Sequence, residues 1–216
     1  LLYQALGQEA PNFAHVPMIL GDDGKRLSKR HGATAVGLYQ EMGILKEALF
    51  NYLTRLGWAC GDMEIFTPAE VIEVFELSQI NKAGAKWDMQ KLLWCNQQWM
   101  MRLSLEDLVS RALPFIDAHS TEHGYTVPED KLSAAVATMQ ERAQTLVELA
   151  EKLAFYFVSA DNFVLDPESS SKALQSRHVS PLTAYVKFLE TVDKSNFTNE
   201  NLETISKAWG VEYRPI

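Results

Sequence analysis

Positive charge is concentrated at one place in this chain. In the stretch GDDGKRLSKRHGA, residues 21 to 33, Lys25, Arg26, Lys29 and Arg30 fall within six positions, directly behind Asp22 and Asp23. Gly21, Gly24 and Gly32 flank them and mark a loop rather than a helix. A pliant backbone carrying ammonium and guanidinium groups suits a phosphate ligand. Both cations bind anionic oxygens, and the N–H groups of such a loop add neutral donors. On composition alone, a solvated surface turn is the simpler reading of the cluster.

The other reactive residue types give less. His15 and His31 have no neighbours with which to form a nucleophilic or acid–base constellation. His119 and His123 sit four apart, as ligands on one helix face do, but no third ligand is near and no metal site is expected. Cys60 and Cys95 lie far apart and match no metal or redox spacing, so they read as buried, reduced thiols.

The elements that must position the basic loop are mostly helical. LLYQALG reads as the closing turns of a helix with Gly7 at its end, and HVPMIL as a short buried strand stopped by Gly21. In KEALFNYLTRLGW, Ala48, Leu49, Tyr52, Leu53 and Leu56 recur at helical spacing up to Gly57. Thr67, Pro68 and Glu70 form a capping box with proline at the first position. Asp88 caps a helix with Met89, Leu92, Leu93 and Met100 on its apolar face, and Ser104 caps the next. The long glycine-free run from Pro128 to Val158 predicts two helices joined near Glu141, or one bent helix. DPESSSK, from Asp166, reads as a polar turn region. Ser180 with Pro181 opens a further helix, and the last helix runs from Thr198 to Gly210. Trp87, Trp94, Trp99 and Trp209, spaced among leucines, read as core rather than as stacking platforms. The expected class is mainly α, with a short strand-and-loop remnant in front.

Composition sets outer bounds. The chain has 216 residues, 47% of them hydrophobic and 22% charged, and a net charge of −8. That total argues against a surface coated for nucleic acid. It leaves a local basic track possible, since screening confines each charge to about 8–10 Å at physiological salt. No run approaches the roughly 20 apolar residues of a membrane span, so a cytoplasmic protein without membrane contact is expected. There is no initiator Met and GVEYRPI stops without a closing element, so the chain reads as part of a longer protein.

KRLSKRHGA resembles the second signature loop of class I aminoacyl-tRNA synthetases, whose consensus is Lys-Met-Ser-Lys-Ser. Arg26, Leu27, Ser28, Lys29 and Arg30 align with its five places. With His31, Gly32 and Ala33 behind it, the loop is similar to that of bacterial glutamyl-tRNA synthetases. LLYQALG, FAHVPMILG, ALFNYLTRLGW, EIFTPAEVIEVF and KLLWCNQQWM are similar to the same family in order and spacing, and cover roughly the first hundred residues. ERAQTLVELAEKLAFYFV carries a looser resemblance further on.

The resemblance implies a glutamate–tRNA ligase that forms glutamyl-adenylate from ATP and glutamate, with Mg²⁺ accompanying ATP, and then esterifies the 3′ end of tRNA. In this family tRNA is needed for activation. It implies that residues 26–30 contact ATP, with Lys29 as the catalytic contact to the triphosphate. Arg26 departs from the family's lysine, and a planar guanidinium is not equivalent to a point-charge ammonium. Residues 1–34 become the tail of a Rossmann-type catalytic domain, 35–101 a helical stem-contact domain, and 102–216 a helical anticodon-binding region with a sub-boundary near 160 and a truncated end. Arg142 matches a family arginine placed near the third anticodon base, where it discriminates C from U; its bland alternative is a solvated arginine at a helix start. The family's His-Ile-Gly-His signature and glutamate pocket would precede Leu1, so this piece is expected to be inactive alone. The implied partners are tRNA for glutamate, ATP and glutamate, and the implied state is a monomer. A non-catalytic helical tRNA-binding or interaction module remains the alternative, and a choice between glutamate and glutamine tRNA stays open.

Overall fold

In the computed structural model, the described residues are 1–28, 35–59, 61–159, 161–164, 166–173, 175–193 and 199–212. The chain divides into two compact units, Leu1–Asp161 and Asn162–Ile216.

The first unit begins with a single turn of helix, α1 (Leu2–Ala5), and an exposed segment leading to β1 (Ile19–Leu20). Then come α2 (Val36–Glu41), α3 (Lys46–Gly57), α4 (Pro68–Val74) and β2 (Ala85–Lys86). Four more helices follow: α5 (Met89–Arg102), α6 (Leu105–His123), α7 (Glu129–Met139) and α8 (Leu146–Phe157). The mainly α expectation is met. The strand expected over HVPMIL shrinks to two half-buried residues, while His15, Val16 and Met18 are exposed. Pairing decides this: the partner strand is only Ala85–Lys86, parallel, with Ile19 opposite Ala85 and Leu20 opposite Lys86.

The helix starts follow their side chains. Thr67 and Glu70 close a reciprocal capping box, and Asp88, Ser104 and Thr145 each accept an N–H from the first turn they precede. The run after Pro128 resolves into two helices, with a turn from Gln140 to Thr145 between them.

One core, from Tyr39 to Leu153, joins α2, α3, α5, α6, α7 and α8. Leu92, Met100, Leu108, Ile116, Leu149 and Leu153 are fully enclosed. Each such side chain contributes about 1.5–3 kcal/mol relative to exposure. Trp87 packs edge-on to Tyr52 at 4.9 Å, and the Tyr52 hydroxyl accepts the Asp88 N–H at 2.7 Å, tying the start of α5 to α3. Burial pushes that phenol up to about 12. Trp87 and Trp99 are buried as expected, whereas Trp94 is half-buried beneath the Lys91 ammonium at 3.9 Å. Leu53, expected on the apolar face of α3, is exposed.

Two buried asparagines complete this core. The Asn51 carbonyl oxygen accepts the Phe66 N–H and the Trp99 indole N–H, both at 3.1 Å, and its amide donates to the Glu64 carbonyl at 3.0 Å. Asn96, midway along α5, does the equivalent work for the Leu45 N–H and the Gln144 carbonyl.

The second unit holds α9 (Pro167–Ala173), α10 (Ser176–Glu190) and α11 (Asn199–Glu212). Three boundary expectations are corrected here. The polar DPESSSK stretch is helical, supported by a Lys172–Glu168 pair at 2.6 Å four residues apart. Ser180 does not cap α10, which starts a turn earlier at Ser176 and carries Pro181 inside it. The first four N–H groups of a helix go unpaired in any case, so a proline at the sixth place forfeits only one ladder bond. Gly210 does not end α11, because Trp209 packs on Tyr185 (4.9 Å) and Phe188 (6.0 Å) and holds that turn against α10. The expected start at Thr198 lies outside the described residues.

Candidate functional site

The basic loop begins as a tight reversal that Asp23 helps to build. The Gly21 N–H donates to the Lys25 carbonyl at 2.8 Å, the Gly24 N–H to the Gly21 carbonyl at 3.0 Å, and the Lys25 N–H to the Asp23 carboxylate at 2.9 Å. Gly24 sits at φ +72°, the left-handed conformation that a side chain disfavours. Leu20 and Arg26 then pair antiparallel, and the Leu27 N–H reaches the Ile19 carbonyl at 2.8 Å. Asp22 lies 3.5 Å from Lys86 on the neighbouring strand. Of the acidic pair that precedes the cations, Asp23 therefore shapes the turn, while Asp22 adds a solvent-exposed pair.

Past the turn, Arg26 is exposed, while Leu27 is half-buried and packs on the main core. An open groove of about 470 Å³ runs beside them, lined by His15 to Ile19, Arg26 and Leu27. Ser28 is half-buried. Lys29 and Arg30 lie outside the described residues.

The second candidate, Arg142, is exposed in the turn between α7 and α8 rather than at a helix start. Its surroundings hold the backbone and leave the side chain to solvent. The Arg142 N–H donates to the Met139 carbonyl at 2.9 Å, and the Arg142 carbonyl accepts from the Lys152 ammonium. The amide of Gln97 donates to the Glu141 carbonyl at 2.8 Å. Gln140 reaches the other way, to the carbonyls of Met100 (3.0 Å) and Leu103 (3.3 Å). Asn96 donates to the Gln144 carbonyl at 2.7 Å, and Glu148 accepts the Gln144 N–H at 2.6 Å. Burial alone would push the Glu148 carboxyl up. Lys152 and the Gln144 N–H outweigh that and hold it below the ordinary range.

Asn96, Gln97 and Gln140 were not singled out by the sequence. A glutamine on a helix surface carries no local mark that it will meet a carbonyl 44 or 40 positions away.

His119 and His123 stack at 4.0 Å, with His119 Nδ1 2.8 Å from the Tyr125 hydroxyl. Burial, then His123, hold His119 below its ordinary value against the pull of Glu151 and Glu122. Cys95 is buried and reduced, whereas Cys60 lies outside the described residues.

The family model for tRNA synthetases class I (E and Q), catalytic domain, matches residues 1–94, and an anticodon binding domain model matches residues 107–213. The chain belongs to the class I glutamate and glutamine tRNA synthetases. The glutamate–tRNA ligase of Syntrophobacter fumaroxidans is 47% identical over 206 residues, covering 95% of this chain and 42% of that protein. That of Dichelobacter nodosus is 47% identical over 171 residues, covering 79% of this chain and 35% of the relative. A crystal structure of a glutamate tRNA ligase from Elizabethkingia meningosepticum in complex with its amino acid superposes with a TM-score of 0.73 at 29% identity, covering 97% of this chain and 44% of that one. The chain thus spans under half the length of these relatives. Among the described residues, no helix is long and apolar enough to cross a membrane.

Proposed function

We propose that the chain is the ATP-loop and tRNA-binding part of a glutamate–tRNA ligase. The observation that carries this is that a catalytic-domain match and an anticodon-domain match follow one another in a single chain, over nearly its whole length. In the proposed reaction a glutamate carboxylate oxygen attacks the α-phosphorus of ATP, and the bond to the departing pyrophosphate breaks. A hydroxyl at the 3′ end of tRNA then attacks the acyl carbon of the adenylate and releases AMP.

Negative charge builds on the pyrophosphate as it leaves. Lys29, with Arg26, Arg30 and the Ser28 hydroxyl, meets that charge with groups that strengthen their hold in the transition state. Leu27 has a mechanical role: packed on the core, it fixes the near end of the loop. Mg²⁺ enters with ATP as part of the substrate. Residues 1–34 close the catalytic domain, 35–101 contact the tRNA stem, and 102–216 carry the anticodon contact through Arg142. The protein works in the cytoplasm as a monomer, and the chain alone, without the partner half of the active site, does not form adenylate.

The test is tRNA-dependent ATP–pyrophosphate exchange with glutamate in the full-length protein. Lys29→Ala is expected to lower kcat by about 10²- to 10³-fold while leaving the KM for tRNA unchanged. Exchange within threefold of wild type would remove Lys29 from the chemistry. Failure of the intact wild-type protein to glutamylate tRNA would overturn the function.

A further inference from the structure

We propose that Gln97 and Gln140 are positioning residues for Arg142, fixing its turn so that the guanidinium meets the third anticodon base in one place. This rests on the reading that Arg142 contacts that base. A turn between two helices is ordinarily soft, because the last carbonyls of one helix and the first N–H groups of the next lack ladder partners. Here the carbonyls of the turn itself are gripped from outside it. Gln97 of α5 holds the Glu141 carbonyl at 2.8 Å, and Lys152 of α8 holds the Arg142 carbonyl. Gln140 draws the entry to the turn onto the last turn of α5 at Met100 and onto Leu103 just past it.

Asn96 and Glu148 grip the same turn, but Asn96 is deeply buried and Glu148 belongs to the start of α8, so both carry the fold as well. Gln97 and Gln140 are only half-buried, and their bonds go to backbone carbonyls. Gln97 holds the residue beside Arg142 and Gln140 anchors itself two positions before it, and both leave the guanidinium free to face outward. Base discrimination by a guanidinium depends on donor geometry, and small displacements degrade it steeply.

The experiment measures the affinity of the 216-residue chain for tRNA for glutamate and for a copy with the third anticodon base changed from C to U, and takes the ratio. The variants are Gln97→Met and Gln140→Met, which remove the donor at similar size, Gln97→Lys, which restores one, and Arg142→Ala. Each variant's melting temperature is recorded beside its affinities. The expected result is a ratio near one for Arg142→Ala, a ratio lowered about three- to tenfold in each methionine variant, and a wild-type ratio for Gln97→Lys. The added lysine charge acts on both RNAs and cancels. Methionine variants with the wild-type ratio, beside an Arg142→Ala that loses it, would overturn the positioning role and leave the Arg142 contact standing. Wild type and Arg142→Ala with the same ratio would remove the contact itself, and the proposal with it.

Discussion

Asn96 donates to the Gln144 carbonyl at 2.7 Å while its own carbonyl oxygen accepts the Leu45 N–H at 2.8 Å. One buried amide thereby joins the turn before α3 to the turn before α8, across α5. Asn96→Ala leaves a buried N–H and a largely buried C=O unpaired, and is expected to cost about 2–4 kcal/mol. Urea unfolding followed by circular dichroism measures it; a loss under 1 kcal/mol would mean that water replaces the amide at little cost.

Gly43 is the second clamp on the same junction. Its φ is +74°, and a Cβ there would come within 2.6 Å of the Val147 nitrogen and 2.7 Å of the Leu146 nitrogen, while its carbonyl accepts the Leu146 N–H at 3.0 Å. Gly43→Ala combines left-handed strain with a backbone overlap that no rotamer relieves, and about 3 kcal/mol or more of destabilisation is expected. The same unfolding experiment reads it, and a near-neutral result would contradict the close approach.

The helical half was legible because its signals are local. Thr67, Asp88 and Ser104 mark helix starts through side chains that act within three residues of themselves. HVPMIL misled because its strand depends on Ala85 and Lys86, far along the chain, which no local pattern reveals. Pro181 and Gly210 misled because a punctuating residue sets a boundary only if nothing outweighs it: Pro181 forfeits a single ladder bond, and Trp209 against Tyr185 holds the turn at Gly210. At the site, Arg26 and Arg142 were nameable from resemblance. The glutamines and asparagine that hold Arg142's turn were not, since their role exists only after α5 packs beside it.

His119 gives a pH dependence with a definite sign. Burial and His123 favour its neutral form in the folded state, so its pKa is lower there than in the unfolded chain. The unfolded state then binds more protons, and the His119 contribution is lost as pH falls through about 6.5, levelling off below the folded value. Wild type should lose more melting temperature between pH 7.5 and 5 than His119→Gln does. Equal losses would show that the ring stack is not coupled to folding.

The Cys95 thiol, pushed up to about 11 by burial, leaves only on the order of one in a thousand molecules as thiolate at pH 8. In a Cys60→Ser background, a disulfide reagent should modify Cys95 slowly in native buffer and at once in denaturant. Rapid native labelling would mean that the α3–α5 contact opens far more often than its packing implies.

Equilibrium binding at two salt concentrations decides whether the helical part reads an anticodon through Arg142. Wild type and Arg142→Ala are titrated with tRNA for glutamate and with the copy altered at the third anticodon base. Wild type should prefer the cognate tRNA and Arg142→Ala should erase this preference, while affinity falls steeply with salt in every case because phosphate contacts supply its bulk. Four equal affinities with one shared salt slope would contradict it, leaving a backbone-only contact and no reading of the base.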